Sequence, residues 1–474
     1  MLIQPIAWTI AGSDSSGGAG IQADLKVFQQ LGVHGCSVIT ALTAQQPKHI
    51  SDIHYVSSKH VAAQLQAMQD CLPPVAVKIG MLGDETIFNA IVQFLQRYQG
   101  KLVLDPVMIA SSGQALFKHN QEKYLKQFDQ LFPYVDLFTP NVMEACALLN
   151  RSIQSYDDIQ EAADLFIQKG VQTVLIKGGH VAQDVWSQDY WTNGKESCWV
   201  ASSRYPDKNY RGTGCIFSAA ITACLALGYE LKDAIVIAKM YINRGIRLAQ
   251  SVDAHTAYVM HAPWPEDEID LPMISHIPLA KQALTFPSCG TSPIGLYPII
   301  DTYAWIESLA QKNITTVQLR IKHKTGNELE EEIKKSIQQA AHYNIRLFIN
   351  DYWELAIAYG AYGVHLGQGD IHQTNIHCLR QAGLRLGIST HCYYEVARAH
   401  AISPSYLACG PIFHTTSKTM LFPPQGIAQL QRWCRTLNNY RLVAIGGINE
   451  NNIAEVWQAG VDGIAMISAI KQCT

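Results

Sequence analysis

The stretch Arg211-Gly212-Thr213-Gly214-Cys215 comes directly before IFSAAITACLALG, an apolar segment with the composition of a buried helix. Glycines at a helix start leave backbone N–H groups free to point at a ligand, and the helix dipole favours negative charge there. These amides could therefore stabilise an anion formed during phosphoryl transfer. Cys215 falls in the first turn, where we expect the dipole to lower the pKa of its thiol. The motif alone leaves open a glycine-rich helix start with a buried thiol.

A second glycine-rich turn, GSDSSGGAG, occupies residues 12–20 after the first apolar segment. Its glycines allow the backbone to approach a small ligand closely. It is not a Walker loop, because GxxxxGK[ST] is absent, and its spacing does not fit a dinucleotide-binding turn. By itself this turn is a weak signal.

In the second half, polar residues and two glycines fall at or near the ends of predicted strands. They are Gln318, Arg320, Lys322, Asn350, Asp351, Gln368, Asp370, Ser389, Thr415, Ser417, Lys418, Gly446, Gly447 and Ser468. Arginine forms bidentate hydrogen bonds to phosphate oxygens, and lysine adds a mobile point charge. Asp351 and Asp370 could share a Mg²⁺ whose other ligands are diphosphate oxygens and water. These residue types predict a site for a Mg²⁺-diphosphate substrate and a second, phosphorylated substrate. The alternative is that Gln318, Arg320 and Lys322 line a polar layer inside a barrel.

Eight apolar segments separated by amphipathic runs must position these side chains. The segments are GLYPIID (295–301), TTVQLRIK (315–322), RLFIN (346–350), YGVHLG (362–367), RLGIST (385–390), YLACGPIF (406–413), RLVAIGGI (441–448) and GIAMISAI (463–470). Parallel strands need crossover helices, so eight strand–helix units predict a (β/α)8 TIM barrel over residues 293–474. A doubly wound sheet is the competing architecture. Reacting groups of barrels gather at the carboxyl ends of the strands, where these polar residues fall.

The first half also alternates strands and helices. Its predicted strands are IAWTIAG, VAVKIGM, KLVLDP, LFTPN and TVLIKGG, and IQADLKVFQQLG is the first predicted helix. The apolar runs are continuous, as expected of parallel strands buried on both faces. We predict a three-layer α/β domain over residues 1–265. Residues 266–292 hold repeated prolines and no sustained period, so we expect a linker there.

Composition excludes several classes of protein. The 474 residues carry a net charge of −3 and no basic cluster, so we expect no nucleic-acid partner. No segment reaches the roughly 20 apolar residues of a membrane span and the N-terminus carries no basic leader, so we expect no membrane partner. Twelve scattered cysteines without a CxxC pair indicate thiols in a reducing, cytoplasmic location.

The first half resembles the hydroxymethylpyrimidine/phosphomethylpyrimidine kinases from about residue 5 to 250. AGSDSSGGAGIQADLK, GCSVITALTAQ, KIGML, LDPVM, TPNVMEA, IKGGH and GTGC occur in the order found in that family. The resemblance implies a ribokinase-like three-layer α/β/α fold, ATP as co-substrate and Mg²⁺. The residues implied are Asp24 and Gln45 for the pyrimidine; Gly212, Thr213, Gly214 and Cys215 for the anion hole, with Cys215 facing the hydroxymethyl oxygen; Asn141 and Glu144 for organising Mg²⁺; and Asp105 and Lys177 on the ATP side.

Each of these residues also has an ordinary explanation. Asp24 could be a solvated helix carboxylate and Lys177 a strand-end salt-bridge partner. Asn141 and Glu144 could be a helix N-terminal cap and its first-turn acid. The chain departs from the family at two positions, because Arg211 replaces a usual His and Ser15 a usual Pro.

The second half resembles thiamine-phosphate synthase over about residues 293 to 472. VQLRIK, RLFINDYW, GVHLGQGD, LGISTH, GPIFHTTSK, VAIGGI and MISAI carry the resemblance. It implies that the pyrimidine diphosphate contacts Gln318, Arg320, Lys322, Asn350, Ser389 and Lys418; that Mg²⁺ lies on Asp351 and Asp370; and that the thiazole phosphate contacts Thr415, Ser417, Gly447, Ile467 and Ser468. The departures are mild: Ser417 replaces a usual Thr and Gly369 a common Glu.

The two resemblances together predict consecutive steps, since the diphosphate made by a kinase half would be the substrate of the barrel. Two alternatives remain open at this point. One half could be a ligand-binding module without turnover, or the kinase half could act on pyridoxal. Both families commonly self-associate, so we expect a homodimer.

Overall fold

The protein is described here by a computed structural model that covers residues 4–46, 49–109, 115–117, 121–179, 185–205, 209–251, 256–280, 285–415 and 422–467. The chain divides into two compact units. The first comprises residues 1–265 and 270–281, and the second comprises residues 266–269 and 282–474.

The first unit alternates strands and helices as predicted. Its elements are β1 (Ile6–Asp14), α1 (Gly20–Gln30), β2 (His34–Gln46), β3 (His49–Tyr55), α2 (Ser58–Gln69), β4 (Ala76–Ile79), α3 (Glu85–Leu95), β5 (Lys101–Leu104), α4 (Gln121–Gln127), β6 (Leu137–Phe138), α5 (Val142–Leu149), α6 (Tyr156–Gln168), β7 (Val174–Ile176), β8 (Trp186–Thr192), β9 (Ser197–Ser203), β10 (Asn209–Arg211), α7 (Thr213–Ala226), α8 (Leu231–Arg247), β11 (Gln250–Ser251), β12 (Thr256–Tyr258) and β13 (Met273–Ser275).

A ten-stranded sheet forms the middle layer, in the order β13-β9-β8-β7-β6-β5-β4-β1-β2-β3. The strands from β7 across to β2 pair in parallel, which confirms the prediction from their continuous apolar runs. Strands β3, β8, β9 and β13 extend the two edges through antiparallel pairings that the sequence analysis did not predict. A separate small sheet has the order β10-β12-β11.

The helices of this unit form two groups. Helix α7 contacts both α1 and α8, and α2 to α6 form a second contacting series. Each group packs on the sheet, so the unit has three layers. The main core holds Trp8, Phe88, Phe128, Phe138 and Trp199, each fully buried. Burying several aromatic side chains contributes much of the stability of such a core.

The segment expected to be a linker is partly built into the two units. Met273–Ser275 forms β13, which pairs antiparallel with β9 at the edge of the ten-stranded sheet. In the second unit, the N–H of Phe286 donates to the carbonyl of Ser403, and Cys289 is 3% exposed. The described parts of 266–292 are therefore ordered, because their apolar residues find places in the neighbouring cores.

The second unit is a closed barrel of eight parallel strands. Its elements are β14 (Gly295–Ile300), α9 (Ile306–Gln311), β15 (Thr316–Leu319), α10 (Gly326–His342), β16 (Arg346–Asn350), α11 (Trp353–Ala358), β17 (Gly363–Leu366), α12 (Ile376–Gln381), β18 (Arg385–Thr390), α13 (Tyr393–Ile402), β19 (Tyr406–Cys409), α14 (Gly426–Thr436), β20 (Leu442–Ile445), α15 (Ile453–Gln458) and β21 (Gly463–Met466). Strand β21 pairs in parallel with β14 and closes the barrel. Each predicted strand coincides with an observed one, so the (β/α)8 prediction is confirmed and the doubly wound alternative is excluded.

Within the described part of the chain, no helix combines the length and apolar character needed to cross a membrane.

Candidate functional sites

A cavity of about 390 Å³ opens in the first unit at the carboxyl ends of the parallel strands. Its walls include the turn after β1, the end of β2, the segments after β4 and β5, and the start of α7. The sequence places polar residues at these strand ends, and the parallel sheet brings them to one edge. Of the predicted residues, the cavity is lined by Gln45, Asp105, Asn141, Glu144, Lys177, Gly212, Thr213, Gly214 and Cys215.

The start of α7 depends on glycine. Gly212 precedes the helix with φ +79°, and a Cβ placed there would lie 2.0 Å from the carbonyl oxygen of Gly18. Only glycine fits this left-handed position without moving the turn. Because Gly212 starts the helix in this way, the first-turn amides of α7 face the cavity, as predicted for an anion site.

The expectation that the helix dipole lowers the pKa of Cys215 is wrong. Cys215 keeps part of its surface in the cavity, but burial raises the pKa of its thiol to about 11. Lys78 opposes this shift and Asp105 adds to it. The desolvation cost of a thiolate exceeds the help from the helix start, so Cys215 remains a protonated thiol at neutral pH.

We therefore expect Cys215 to react slowly with iodoacetamide at pH 7.5. With a pKa of about 11, its thiolate fraction is below about 0.1%. Alkylation mapped by peptide mass spectrometry should label the exposed Cys71 long before Cys215. Labelling of Cys215 at the same rate as Cys71 would show that the helix dipole dominates after all.

Asp24 does not line the cavity, contrary to the expectation that it contacts the pyrimidine. Its side chain is fully buried in α1, where it accepts hydrogen bonds from Lys78 at 2.5 Å and from the Thr9 hydroxyl at 2.6 Å. It is not a solvated helix carboxylate either. Lys78, the first residue of the KIGML motif, was given no role from the sequence, yet it lines the cavity where Asp24 was expected. Asp24 thus lies behind the cavity wall, where its carboxylate holds the ammonium group of Lys78.

Asp105 and Lys177 form a second buried pair, directly at the cavity wall. The Lys177 ammonium donates to Asp105 at 2.6 Å, and the Ser218 hydroxyl donates to the other carboxylate oxygen at 2.9 Å. Burial alone would raise the pKa of Asp105, but Lys177 and Lys78 outweigh burial and hold the pKa below its usual value. Asp105 is therefore ionised at neutral pH.

Asn141 and Glu144 cap α5 and also line the cavity. The Asn141 side chain accepts from the Glu144 N–H at 2.8 Å, and the Glu144 carboxylate accepts from the Asn141 N–H at 2.7 Å. This is the helix-capping explanation from the sequence. Burial raises the pKa of Glu144 to about 7, against the effect of Lys177 4.0 Å away. A carboxylate so poised favours a nearby cation, so the pair also fits a metal bound to nucleotide phosphates.

A second cavity, of about 480 Å³, shares walls with the first. The two have in common Asn141, Lys177, Tyr210, Thr213 and Gly214. Its far wall carries Lys239, which is 6% exposed and donates to Asp189 at 2.7 Å. Sequence reasoning missed this pair because its members lie in α8 and β8, without a motif to connect them. Two adjoining cavities that meet at the start of one helix can hold a phosphate donor and an acceptor.

Gln45 sits at the cavity mouth and is held through its backbone. The Ser15 hydroxyl donates to the Gln45 carbonyl at 2.9 Å and accepts from the Gln45 N–H at 2.9 Å. The Asp14 carboxylate accepts from the N–H groups of Ser16, Gly18 and Ala19, which fixes the turn that presents Ser15. Sequence reasoning gave Asp14 no role, although an aspartate before such a turn is a known turn-forming signal.

The barrel brings its predicted residues to one rim. Within or after the carboxyl ends of successive strands lie Gln318, Arg320, Lys322, Asn350, Asp351, Gln368, Asp370, Ser389, Thr415, Gly446, Gly447 and Ile467. The predicted residues Ser417, Lys418 and Ser468 lie outside the described residues. A Cβ on Gly447, whose φ is +68°, would meet the carbonyl oxygen of His414 at 2.4 Å. This turn therefore needs glycine, as expected where backbone approaches a phosphate.

Asp351 and Asp370 lie close together at the rim. Burial and the negative charge of Asp370 raise the pKa of Asp351 to about 6, although Arg320 opposes them. Asp351 also has φ +67°, an uncommon backbone conformation that is found at functional sites. Two neighbouring carboxylates repel each other and favour a shared cation, so the donor set fits Mg²⁺.

A buried hydrogen-bond chain runs through the barrel behind these residues, and the sequence did not reveal it. The hydroxyls of Tyr297 and Tyr406 are 2.8 Å apart, Tyr406 lies 2.7 Å from Nδ1 of His365, and Nε2 of His365 lies 2.8 Å from the Ser389 hydroxyl. Burial and Arg320 lower the pKa of His365 to about 3, so the ring is neutral. Its neutral imidazole therefore orients the predicted ligand Ser389.

Gln318 behaves differently from Arg320 and Lys322. It is 3% exposed inside β15 and lies near the buried hydroxyls of Tyr297 and Tyr406. For this residue the structure shows the polar barrel layer that the sequence left open. Arg320 and Lys322 lie beyond the strand end, where Lys322 is exposed. A buried amide costs less free energy where other polar groups, such as these two hydroxyls, lie near it.

Comparison with known proteins shows that each of the two units matches a known protein family. Residues 14–260 match the phosphomethylpyrimidine kinase family, and residues 296–470 match the thiamine monophosphate synthase family. The chain is 30% identical over 481 residues to the probable thiamine biosynthetic bifunctional enzyme, chloroplastic, of Oryza sativa subsp. japonica. That alignment covers 98% of this chain and 86% of the rice protein. The chain belongs to the bifunctional thiamine biosynthetic enzymes. Its first unit is their phosphomethylpyrimidine kinase domain and its second is their thiamine-phosphate synthase domain.

Each domain of this bifunctional enzyme also resembles separate proteins. The synthase domain is 50% identical over 179 residues to the thiamine-phosphate synthase of Photorhabdus laumondii, an alignment that covers 38% of this chain and 83% of that protein. The kinase domain matches the structure of the pyridoxal kinase from Staphylococcus aureus in complex with AMP-PCP and pyridoxal. The identity is 30% and the TM-score 0.52, over 58% of this chain and 100% of that one. These likenesses confirm the predicted ribokinase-like and barrel folds.

Proposed function

We propose that the kinase domain phosphorylates 4-amino-5-hydroxymethyl-2-methylpyrimidine with ATP and then phosphorylates the monophosphate to the diphosphate. The synthase domain couples this diphosphate to thiazole phosphate and releases pyrophosphate. The observation that carries the kinase half is the meeting of two cavities at the start of α7, around Thr213 and Gly214. Acceptor and ATP can occupy one cavity each, with the transferred group between them.

In the first kinase step, the hydroxymethyl oxygen forms a bond to the γ-phosphorus. The bond from that phosphorus to the β,γ-bridging oxygen breaks, ADP leaves, and the hydroxyl proton is released to water. The amides of Gly212 to Gly214 stabilise the charge on the transferred group, as helix N-termini do. Cys215 keeps its proton near neutral pH, so it serves as a hydrogen-bonding contact to the hydroxymethyl oxygen and not as a general base. Lys177 adds a fixed positive charge beside the same amides.

Mg²⁺ would be held in the kinase by Asn141 and Glu144, and in the synthase by Asp351 and Asp370. When bound, it neutralises charge on the phosphate oxygens of ATP or of the pyrimidine diphosphate. Burial raises the pKa of both Glu144 and Asp351, and a neighbouring carboxylate, Asp105 or Asp370, adds to each shift. A bound cation would favour the ionised form of each group, which supports this proposal. Chelation with EDTA is expected to stop both activities, and excess Mg²⁺ to restore them.

In the synthase, the bond between the pyrimidine methylene carbon and the diphosphate oxygen breaks, and that carbon bonds to the thiazole nitrogen. Arg320, Lys322 and Asn350 stabilise the departing diphosphate by charge and hydrogen bonds. Ser389, held by His365, contacts the pyrimidine or the diphosphate. Thr415, Gly447 and Ile467 line the expected thiazole phosphate side of the rim.

Pyridoxal is the second candidate substrate of the kinase domain. The similarity to the Staphylococcus aureus pyridoxal kinase favours it. Gln45 favours the pyrimidine, because one side-chain amide offers both a donor and an acceptor to the ring edge. The ratio of kcat/KM for the two substrates decides between them. A clear preference for pyridoxal would overturn this part of the proposal.

The whole proposal is tested by a one-pot assay on the full chain. Hydroxymethylpyrimidine, ATP, Mg²⁺ and thiazole phosphate are supplied, and thiamine phosphate is detected after oxidation to a fluorescent thiochrome. ATP-dependent product is expected. Absence of product even when the pyrimidine diphosphate is supplied would contradict the synthase assignment. Product that forms only when the diphosphate is supplied, and not from hydroxymethylpyrimidine and ATP, would contradict the kinase assignment. The homodimer and the cytoplasmic location stay predictions.

A further inference from the structure

Arg211 is a buried cation at the wall of the kinase cavity, and it has no counterion among the described residues. It is the last residue of β10, only 3% exposed, and it lines the 390 Å³ cavity. Among the residues that the structure describes, its guanidinium takes part in no hydrogen bond, ion pair or ring contact. A guanidinium has five N–H donors, and burying it without a partner is costly.

The other charged groups lining this cavity are satisfied within the protein. Lys78 is paired with Asp24, and Lys177 with Asp105. The Asp14 carboxylate accepts from the backbone of its own turn, and Glu144 accepts from the Asn141 N–H. Arg211 therefore stands apart from them. An anion that enters the cavity would therefore meet a guanidinium that none of these carboxylates neutralises.

The position of Arg211 indicates which anion. It immediately precedes Gly212, at the start of the 14-residue helix α7, so an anion near it can also meet the first-turn amides. It lines the first cavity and not the adjoining one that carries Lys239. Of the two cavities, Arg211 therefore faces the one proposed for the acceptor and not the one proposed for ATP.

We propose that Arg211 binds the phosphate already present on the pyrimidine monophosphate, and so favours the second phosphorylation over the first. This inference rests on the proposed kinase function. The unphosphorylated pyrimidine has no anion to offer Arg211, whereas the monophosphate brings about two negative charges to it. A bidentate pair between guanidinium and phosphate is the geometry that arginine supplies and histidine does not.

The test compares Arg211→Gln, Arg211→His and Arg211→Lys in the full chain, with each kinase step assayed separately. For Arg211→Gln we expect kcat/KM with the monophosphate to fall about 10–100-fold, and kcat/KM with the unphosphorylated pyrimidine to change less than about threefold. Arg211→Lys should recover part of the loss, since it keeps the charge but loses the fork. An equal fall in both steps would overturn the proposal, because Arg211 would then act on the phosphoryl group arriving from ATP. So would no change in either step.

A binding measurement separates this role from a structural one. Without ligand, Arg211→Gln should melt at the same temperature as the parent or higher, since it removes a buried, unpaired charge. The rise in melting temperature caused by the pyrimidine monophosphate should be lost in this variant, while that caused by the unphosphorylated pyrimidine remains. A variant that melts several degrees lower without ligand would contradict the proposal.

Arg151→Gln is the matched control. Arg151 is 36% exposed, pairs with Glu161 on the surface, and lines neither cavity, so both kinase steps should keep their parent rates. Supplied pyrimidine diphosphate should be converted by the synthase domain equally well in all variants. If the parent chain phosphorylates neither form of the pyrimidine, the proposed kinase function itself fails. If the parent phosphorylates both forms and the Arg211 variants do so at the same rates, only the role of Arg211 fails.

Discussion

Replacing Arg320 by alanine is expected to lower kcat/KM of the synthase about 10²–10⁴-fold and to leave both kinase steps unchanged. Arg320 follows β15 at the barrel rim. Its charge opposes the raised pKa of Asp351 and contributes to the lowered pKa of His365, so it lies close to both. Removing it takes away a two-pronged contact with the leaving diphosphate and leaves the carboxylate pair without its neighbouring cation. Arg320→Lys should restore only part of the rate, because lysine keeps the charge but not the planar fork.

The measurement is thiamine phosphate formation from supplied pyrimidine diphosphate, with ADP release from the kinase followed in the same preparation. Arg435→Ala is the matched control. Arg435 is 56% exposed at the end of α14 and pairs with Glu266, away from the strand ends that form the rim, so its loss should leave the synthase rate unchanged. A synthase rate in Arg320→Ala equal to that of the parent would remove Arg320 from the site.

Replacing Lys78 by methionine is expected to destabilise the kinase domain by about 3–5 kcal/mol. Lys78 and Asp24 are both fully buried and 2.5 Å apart, so the substitution leaves a carboxylate with only the Thr9 hydroxyl as a partner. Kinase activity should fall as well, because Lys78 faces the acceptor cavity. Chemical denaturation followed by tryptophan fluorescence measures the loss, with synthase activity reporting the state of the barrel.

The pH dependence of the stability of Lys78→Met provides a second test of the buried pair. Burial raises the pKa of Asp24, and without Lys78 the hydrogen bond from the Thr9 hydroxyl remains to oppose that shift. A carboxyl whose folded pKa is raised stabilises the folded state at low pH and loses that contribution as pH rises through the folded pKa. The deficit of Lys78→Met should therefore be smaller at pH 5 than at pH 8.

Removing both charges separates the effect of an unpaired buried charge on stability from the effect of lost side-chain packing. The double variant Lys78→Met, Asp24→Leu should recover most of the stability, since two apolar side chains can replace a buried ion pair. Lys101→Met, in an exposed pair with Asp136, should change stability by less than about 1 kcal/mol. A deficit in Lys78→Met no larger than in Lys101→Met would contradict the assignment of a buried, obligatory pair.

Local patterns in the sequence were enough to predict both folds and to bring candidate residues to the strand ends. The eight barrel strands and the parallel strands of the kinase sheet follow from apolar runs of the right length between helical patterns, which are local properties of the chain. Strand ends are local too, so the sequence alone predicts that Arg320, Asn350 and Asp351 share one rim of a barrel. The helix start at Gly212 could be predicted for the same reason, because a glycine-rich turn directly before an apolar run is a local pattern typical of a helix N-terminus.

Tertiary structure alone decided which charged groups are paired and which face a ligand. Asp24 reads as a candidate ligand in the sequence, yet Lys78 lies 54 residues away and turns it into a buried support. Cys215 occupies the predicted helix turn, but burial by distant segments outweighs the local dipole and raises the pKa of its thiol. Desolvation and ion pairing depend on everything that packs around a group, and that neighbourhood exists only after the chain has folded.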